Sequence, residues 1–280
     1  MKKALIFLTL ILLISNTLLF AQNFKGKEEK VIIAPPQKNL TAGEILEYSV
    51  EWLGVPIGKI ILTLEEAKGP EGQEFYHITG RSLPNKFFTR FYDVEYRWDS
   101  YVYRDTLEPY SLLKVRRIND DFLDIDVKFD RRTHTAKYYY VARGSSEEIV
   151  DFPTGKKIKA SKSNKYSTVS YPDDIHDLLT TLYYFRLKDI KENSNYVLHV
   201  FYAASPWEIK VKVDKPYLKD IYKKGTFPVF SMSTDTELTY YILGKRGIKI
   251  YFTADPKRVP VLITFNSAIG QFRAVLQNLP

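Results

Sequence analysis

The sequence contains no cysteine. That excludes disulfides, zinc–thiolate and iron–sulfur sites, a thiol nucleophile and a lipid-modified N-terminal cysteine. Histidine is nearly as scarce, and His77, His134, His176 and His199 lie scattered. Only His176 has acids beside it, Asp174 and Asp177. If the segment is helical, positions one or two apart point in different directions, so the three do not converge on a metal. His176 reads as a surface residue in an acidic first helical turn, and no metal or cofactor is expected. Also missing are a glycine-flanked serine elbow, a Gly-rich phosphate loop ending in Lys-Ser or Lys-Thr, and a paired-histidine metalloprotease helix. No spacing singles out a pair of carboxylates for glycoside cleavage, because such pairs meet in space rather than in sequence. The chain reads as non-catalytic.

Long apolar runs are absent except at the start. Met1, Lys2 and Lys3 precede the stretch from Ala4 to Ile14, which Thr9 alone interrupts, and Leu19-Phe20-Ala21 supplies a small-residue exit. A positive start, an apolar core and a small exit residue make a secretory signal over 1–21, too short in its apolar part to span a bilayer. The protein is therefore expected to be exported, periplasmic or envelope-associated, and not a lipoprotein. The formal charge is +8, and loss of Lys2 and Lys3 leaves +6. An excess of that size serves solubility and does not call for a nucleic-acid partner.

Residues 22–41 are polar, close with Ala34-Pro35-Pro36-Gln37, and read as a flexible lead-in to one domain over 42–280. Beyond that point alternation dominates. Leu123, Ile125, Val127 and Phe129 alternate with Asp124, Asp126, Lys128 and Asp130, and Ile209, Val211 and Val213 with Lys210, Lys212 and Asp214. Period two gives strands with one buried and one wet face, the pattern of antiparallel sheets. The 21 tyrosines and 17 phenylalanines suit such a surface. Turn chemistry separates the runs: Leu53 through Gly58, Lys68-Gly69-Pro70-Glu71-Gly72, Asp130-Arg131-Arg132-Thr133 and Asp255-Pro256-Lys257-Arg258. Roughly eleven strands result. The lysines at 156, 157, 159, 162 and 165, with no acid among them, read as a solvated loop before Tyr171.

One segment has another period. Ile175, Leu178, Leu179, Leu182 and Phe185 follow helical spacing, with Asp173 and Asp174 at the start and Arg186 and Lys188 at the end. The spacing predicts an amphipathic helix over Asp173–Arg186 whose apolar face lies on the sheet and could plug a curled one. The fold expected is mainly β: a single large curved antiparallel sheet or half-open barrel with one packed helix. Trp52, Trp98 and Trp207 read as packing residues rather than sugar platforms.

Four blocks give the chain a family likeness: Gly43 through Trp52 with Gly54 and Gly58; the strand ending Lys128-Phe129-Asp130; Asp177 through Arg186; and Gly247 through Val261, closing with Gly270 and Ala274-Val275-Leu276. In these the sequence resembles the exported bacterial proteins catalogued as domain of unknown function 3108. It departs from them after the helix arginine, where Leu187 to Ser194 has no glycine. More loosely it resembles the half-barrels of periplasmic lipoprotein carriers. The resemblance implies an envelope location and a curved antiparallel sheet, and brings no catalytic residue. Its landmarks are Gly43, Glu44, Tyr48, Gly54, Gly58, Asp130, Asp177, Arg186, Asp255, Arg258, Pro260 and Gly270. They read as structural: Gly54 and Gly58 as bends, Asp255 as the cap of its turn and partner of Arg258, and Arg186 as the neutraliser of the helix C-terminal carbonyls. The function implied is a carrier or binding protein for a hydrophobic, lipid-like ligand. The alternatives are an envelope scaffold that meets a protein partner, or a carbohydrate-active enzyme.

Overall fold

The computed structural model describes residues 31–85, 94–118, 121–143, 148–151, 156–159, 163–221, 224–239, 247–267 and 270–278. The signal-like segment and residues 22–30 lie outside these, as does Lys162. Alternation becomes strands in a long meander: β1 (Glu44–Trp52), β2 (Val55–Lys68), β3 (Glu74–Pro84), β4 (Val94–Tyr103), β5 (Pro109–Ile118), β6 (Asp121–Asp130) and β7 (Thr135–Arg143). A separate hairpin, β8 (Glu148–Asp151) with β9 (Lys156–Lys159), precedes β10 (Ser163–Ser170) and β11 (Ile175–Asp177). After the helix α1 (Thr180–Leu187) come β12 (Asn195–Tyr202), β13 (Ser205–Val213), β14 (Tyr217–Ile221), β15 (Gly225–Thr234), β16 (Ile248–Thr253), β17 (Pro260–Ser267) and β18 (Gly270–Leu276). Sixteen of these strands form one sheet, ordered β10-β7-β6-β5-β4-β3-β2-β1-β18-β17-β16-β15-β13-β12-β11 with β14 alongside β15. The count corrects the expected eleven.

The missed strands have two physical causes. β8, β9 and β10 lie in or beside the lysine-rich stretch, where composition rather than alternation dominates, yet β10 pairs with β7 over its whole length. β11 is parallel to β12 and fully buried at Ile175, His176 and Asp177. A strand covered on both faces shows no alternation, so those residues merged with the helical pattern that follows. The helix is accordingly shorter than expected: it begins at Thr180, not near Asp173. His176 is correspondingly buried, 1 % exposed, and not a surface residue.

The sheet is open but tightly curled. Its path has fifteen strands, with β10 at one edge and β11 at the other. Laid flat, such a path would be roughly 65 Å wide at about 4.8 Å per strand. The chain nevertheless passes from β10 to β11 through residues 171–174 alone, which reach at most about 18 Å. The two edges must lie close together. Contacts agree: Phe129 of β6 meets Phe201 of β12 at 5.1 Å between ring centroids, and Ile175 joins the cluster built by Leu123, Val127 and Tyr138.

Helix α1 lies inside this curl. Leu182 packs against three clusters: one around Leu46, Leu62 and Val261, a second around Phe185, Leu198 and Phe230, and a third around Leu64, Ile78 and Tyr183. Leu179 comes against Gly80 of β3, whose missing side chain leaves room for it. The short connection after α1 uses Asn193 at φ 54°, the left-handed conformation that asparagine tolerates and a glycine would otherwise supply. Residues 31–40, expected to be flexible, instead lie on the domain. The Ala34 amide donates to Ala254 O at 2.8 Å, that of Gln37 to Pro256 O at 3.0 Å, and Leu40 is buried.

Candidate functional site

Strand pairing fixes which side chains face inward. Leu46, Leu62, Gly80, Trp98 and Lys114 are cross-strand partners in one row, so all lie on the face that meets α1. The same logic puts Val50, Ala274, Ile263 and Ile250 in one row and Trp52, Phe272, Phe265 and Ile248 in the next.

Along each strand this inner face changes character. At the end that holds α1, Leu46, Leu64, Val102, Phe252, Val261 and Leu276 are buried. Towards the opposite end Val50, Ile60, Ile250, Ile263 and Phe272 are half-buried. The helix fills one half of the curl; the inner face of the other half is apolar, aromatic and half-buried, and forms a mouth. Its wall carries two stacked series, Trp52 with Phe272 and Phe265 (6.4 and 5.0 Å) and Tyr96 with Trp98 (5.9 Å). The Lys114 ammonium lies over Trp98 and Tyr202 at 6.0 and 5.3 Å from the ring centres. Trp207 donates its indole N–H to Tyr202 O at 2.9 Å. At the rim, Leu53, Val55 and Leu83 are 67 %, 58 % and 46 % exposed.

Four of the landmark residues, Glu44, Asp177, Arg186 and Arg258, hold the plug. Arg186, on the last turn of α1, forms a two-pronged pair with Glu44 of β1 at 2.5 and 2.7 Å and donates from Nε to Lys257 O at 3.1 Å. Burial pulls its pKa down, but the hydrogen bond and charge of Glu44 outweigh this and hold it above the ordinary arginine value. The expected role at the helix C-terminus therefore falls to another residue. Arg258 donates to Lys188 O, the carbonyl that follows the helix, and to Ala34 O at 2.8 Å. It does not use its side chain to pair with Asp255, which instead accepts the amides of Lys257 and Arg258 at 2.8 and 3.1 Å and so caps its own turn. Tyr48 donates to Pro260 O at 2.7 Å. Burial also raises Tyr183, whose phenol packs beside this pair. Gly43, which donates its amide to Leu64 O, lies at φ 82° just before Glu44.

The remaining landmarks are local. Asp177 binds the other end of α1, accepting the amides of Leu179 and Thr180 at 2.8 and 3.0 Å and the hydroxyl of Ser100. Asp130 caps its turn through the amides of Arg132 and Thr133. A side chain on Gly58 would strike Leu83 O at 2.7 Å, so a glycine lets β2 and β3 approach closely there. Gly54 (φ 86°) and Gly270 (φ 124°) form turns at the mouth. Periodicity could have found the mouth residues had the register been known; spacing alone did not distinguish them from core.

His176 is the one histidine held deep in this assembly. Its Nδ1–H donates to Leu107 O at 3.1 Å, its Nε2 has no hydrogen-bond partner, and its ring lies 4.2 Å from that of Tyr184. Burial lowers its pKa, against the smaller pull of the Leu107 carbonyl, Asp177 and Asp174. The folded state thus binds the proton less readily than the unfolded chain. Stability should be level above about pH 7 and fall as pH drops below the ordinary value of 6.5, until the lowered folded pKa is passed. Urea midpoints taken from pH 8 to 5 check this, and His176→Leu should remove most of the slope in that window; an unchanged slope would contradict the assignment. Among the described residues no group of three or more acidic or histidine side chains is placed to hold a metal, and no helix is long and apolar enough to cross a membrane.

Comparison with known proteins places this geometry in context. No curated protein matches the sequence. Among solved structures, a β-barrel-like protein of domain of unknown function DUF1849 from Brucella abortus is similar, with a TM-score of 0.47 and 9 % identity over 86 % of this chain and 98 % of that one. A family described as "Protein of unknown function (DUF3108)" matches residues 47–277, which take in α1, the open mouth and every landmark except Gly43 and Glu44. The chain is a member of the DUF3108 family.

Proposed function

We propose that this protein is an exported, non-catalytic binding protein of the cell envelope that holds a hydrophobic, lipid-like ligand in the open half of the curled sheet. The carrying observation is the change along the inner face, from buried beside α1 to half-buried and aromatic at the mouth. An apolar surface kept open to water costs stability unless something covers it. An acyl chain is a fitting cover. Each buried methylene contributes about 0.8 kcal/mol, so ten give roughly 8 kcal/mol towards the costs of association, and a longer chain or a second chain correspondingly more. The tethers at Glu44, Asp177 and Arg258 keep the plug in place, so the ligand lies beyond α1 and does not replace it.

Mass spectrometry of the natively purified protein should find a lipid in stoichiometric amount. A fluorescent fatty acid should bind the stripped protein and lose its site in Ile263→Asp, which places a carboxylate in the mouth at a half-buried position. Retention of full affinity by that variant would overturn the reading. A second reading, a scaffold for an envelope protein complex, is favoured by the exposed rim residues Leu53, Val55 and Leu83; a protein isolated without lipid but with a stoichiometric partner would support it.

A further inference from the structure

We propose that the tip of the β1–β2 hairpin enters the surface layer of a phospholipid bilayer. From Trp52 to Gly58 the chain reads Trp-Leu-Gly-Val-Pro-Ile-Gly, seven residues in which the indole N–H is the sole polar side-chain group. Turns at a protein surface are normally built from Gly, Pro, Asn, Asp and Ser. This one is apolar and exposed at once: Leu53, Val55 and Pro56 all face solvent, and Leu83 at the end of β3 adds a fourth apolar side chain.

Leu53 also breaks a local preference. Val55 pairs with Trp52, so Leu53 and Gly54 form a two-residue turn, with φ of 50° and 86°. Two positive values in succession suit Asn-Gly, and a leucine is strained there. The backbone thus holds an apolar side chain out into water in a conformation that disfavours it. Neither feature helps the fold, and conflicts of this kind gather at functional positions.

The surroundings fit a bilayer better than a protein partner. A segment that enters an apolar layer must have its backbone polar groups already bonded. The Leu53 amide donates to Gln271 O at 3.2 Å, the Asn85 amide to Ile57 O at 2.9 Å, and the Asn85 side-chain amide to Pro56 O at 3.2 Å. Pro56 has no N–H to satisfy. These bonds occupy groups that an added partner strand would use. They also tie the tip to the start of β18 and the end of β3, which makes it a rigid wedge. Trp52, at its base, is a side chain of the kind that settles where apolar and aqueous layers meet. The cations just behind, Lys59 and Arg273, are matched by Glu47 at 2.5 Å and Glu51 at 2.6 Å. The attraction is therefore apolar, and zwitterionic lipid suffices.

Co-sedimentation of the protein, purified after export, with phosphatidylcholine vesicles tests this. The parent should bind, and about 0.5 M NaCl should not release it. Leu53→Asn combined with Val55→Thr should weaken binding about tenfold or more. Asparagine suits the turn and threonine the strand, so the urea midpoint of this variant should stay level or rise, and its loss of binding is then not a loss of fold. Three results would each overturn the proposal: no binding by the parent, as expected if a protein partner covers the tip instead; binding that requires anionic lipid and is abolished by salt; or parental affinity in the double variant. Vesicle docking stands apart from the ligand reading. Ile263→Asp should lose the fatty acid and keep the vesicles, and the double variant should do the opposite.

Discussion

Replacing Arg186 by methionine should cost about 3–5 kcal/mol of unfolding free energy, the usual loss when one member of a buried ion pair is removed and the other is left uncompensated. The Arg186 side chain is 1 % exposed and that of Glu44 10 %, so little water is available to solvate whichever charge remains. Glu44→Met should be similarly damaging, because the guanidinium would stay in place without its anion. The double variant Arg186→Met, Glu44→Met should be far less destabilised than the sum of the two changes, since an apolar pair of similar volume leaves no stranded charge. Urea denaturation of the four proteins measures the coupling. Additive losses would show that the pair contributes nothing specific to fixing α1 in the curl.

The second large effect is expected at Arg258. This side chain ties together three parts of the chain distant in sequence: the carbonyl after α1, the docked segment at Ala34, and Phe230, whose ring lies 5.9 Å from the guanidinium. Burial depresses its pKa, since carbonyls rather than a carboxylate receive it. The partial negative charge at the helix C-terminus provides some of the missing compensation. The residue also sits at φ 46°, where a non-glycine side chain is strained. Arg258→Met should lose about 2–4 kcal/mol, because two partly buried carbonyls lose charge-assisted donors. Arg258→Lys should recover little, as a single ammonium cannot span both acceptors in the manner of a planar fork. The distinctive readout is local: in either variant residues 31–40 should detach, and trypsin should cut after the exposed Lys38 at protein concentrations and times that leave the parent intact. Unchanged protection at Lys38 would mean that the segment is held by its backbone bonds to Ala254 and Pro256 alone.

Both effects concern residues whose importance was visible in the chain before their partners were. Glu44, Tyr48, Arg186, Arg258 and Pro260 stood out through family resemblance, and helical spacing placed Arg186 at the end of a helix. Their pairing was not legible. Arg186 meets Glu44 across 142 positions and Arg258 meets Ala34 across 224. A local reading therefore assigned each arginine the nearest available task, and the structure exchanges them: Arg258 serves the helix carbonyl and Arg186 the distant acid. Asp255 was read correctly as a turn cap because a side chain that bonds amides two or three residues onward needs no tertiary information.

The amino-acid order by itself determined the material of this fold: antiparallel strands wherever apolar and polar residues alternate, turns where glycine, proline and aspartate cluster, and one helix where the period changes. These are properties of neighbouring residues, and backbone geometry converts them directly into local shape. Only the tertiary structure decided that β11 is a strand, that α1 occupies one half of the curl, and that the inner face at the other half is only half-buried. Those outcomes depend on which edges meet when a sheet about fifteen strands wide is drawn round by a four-residue link, and such meetings leave no periodic trace in the sequence.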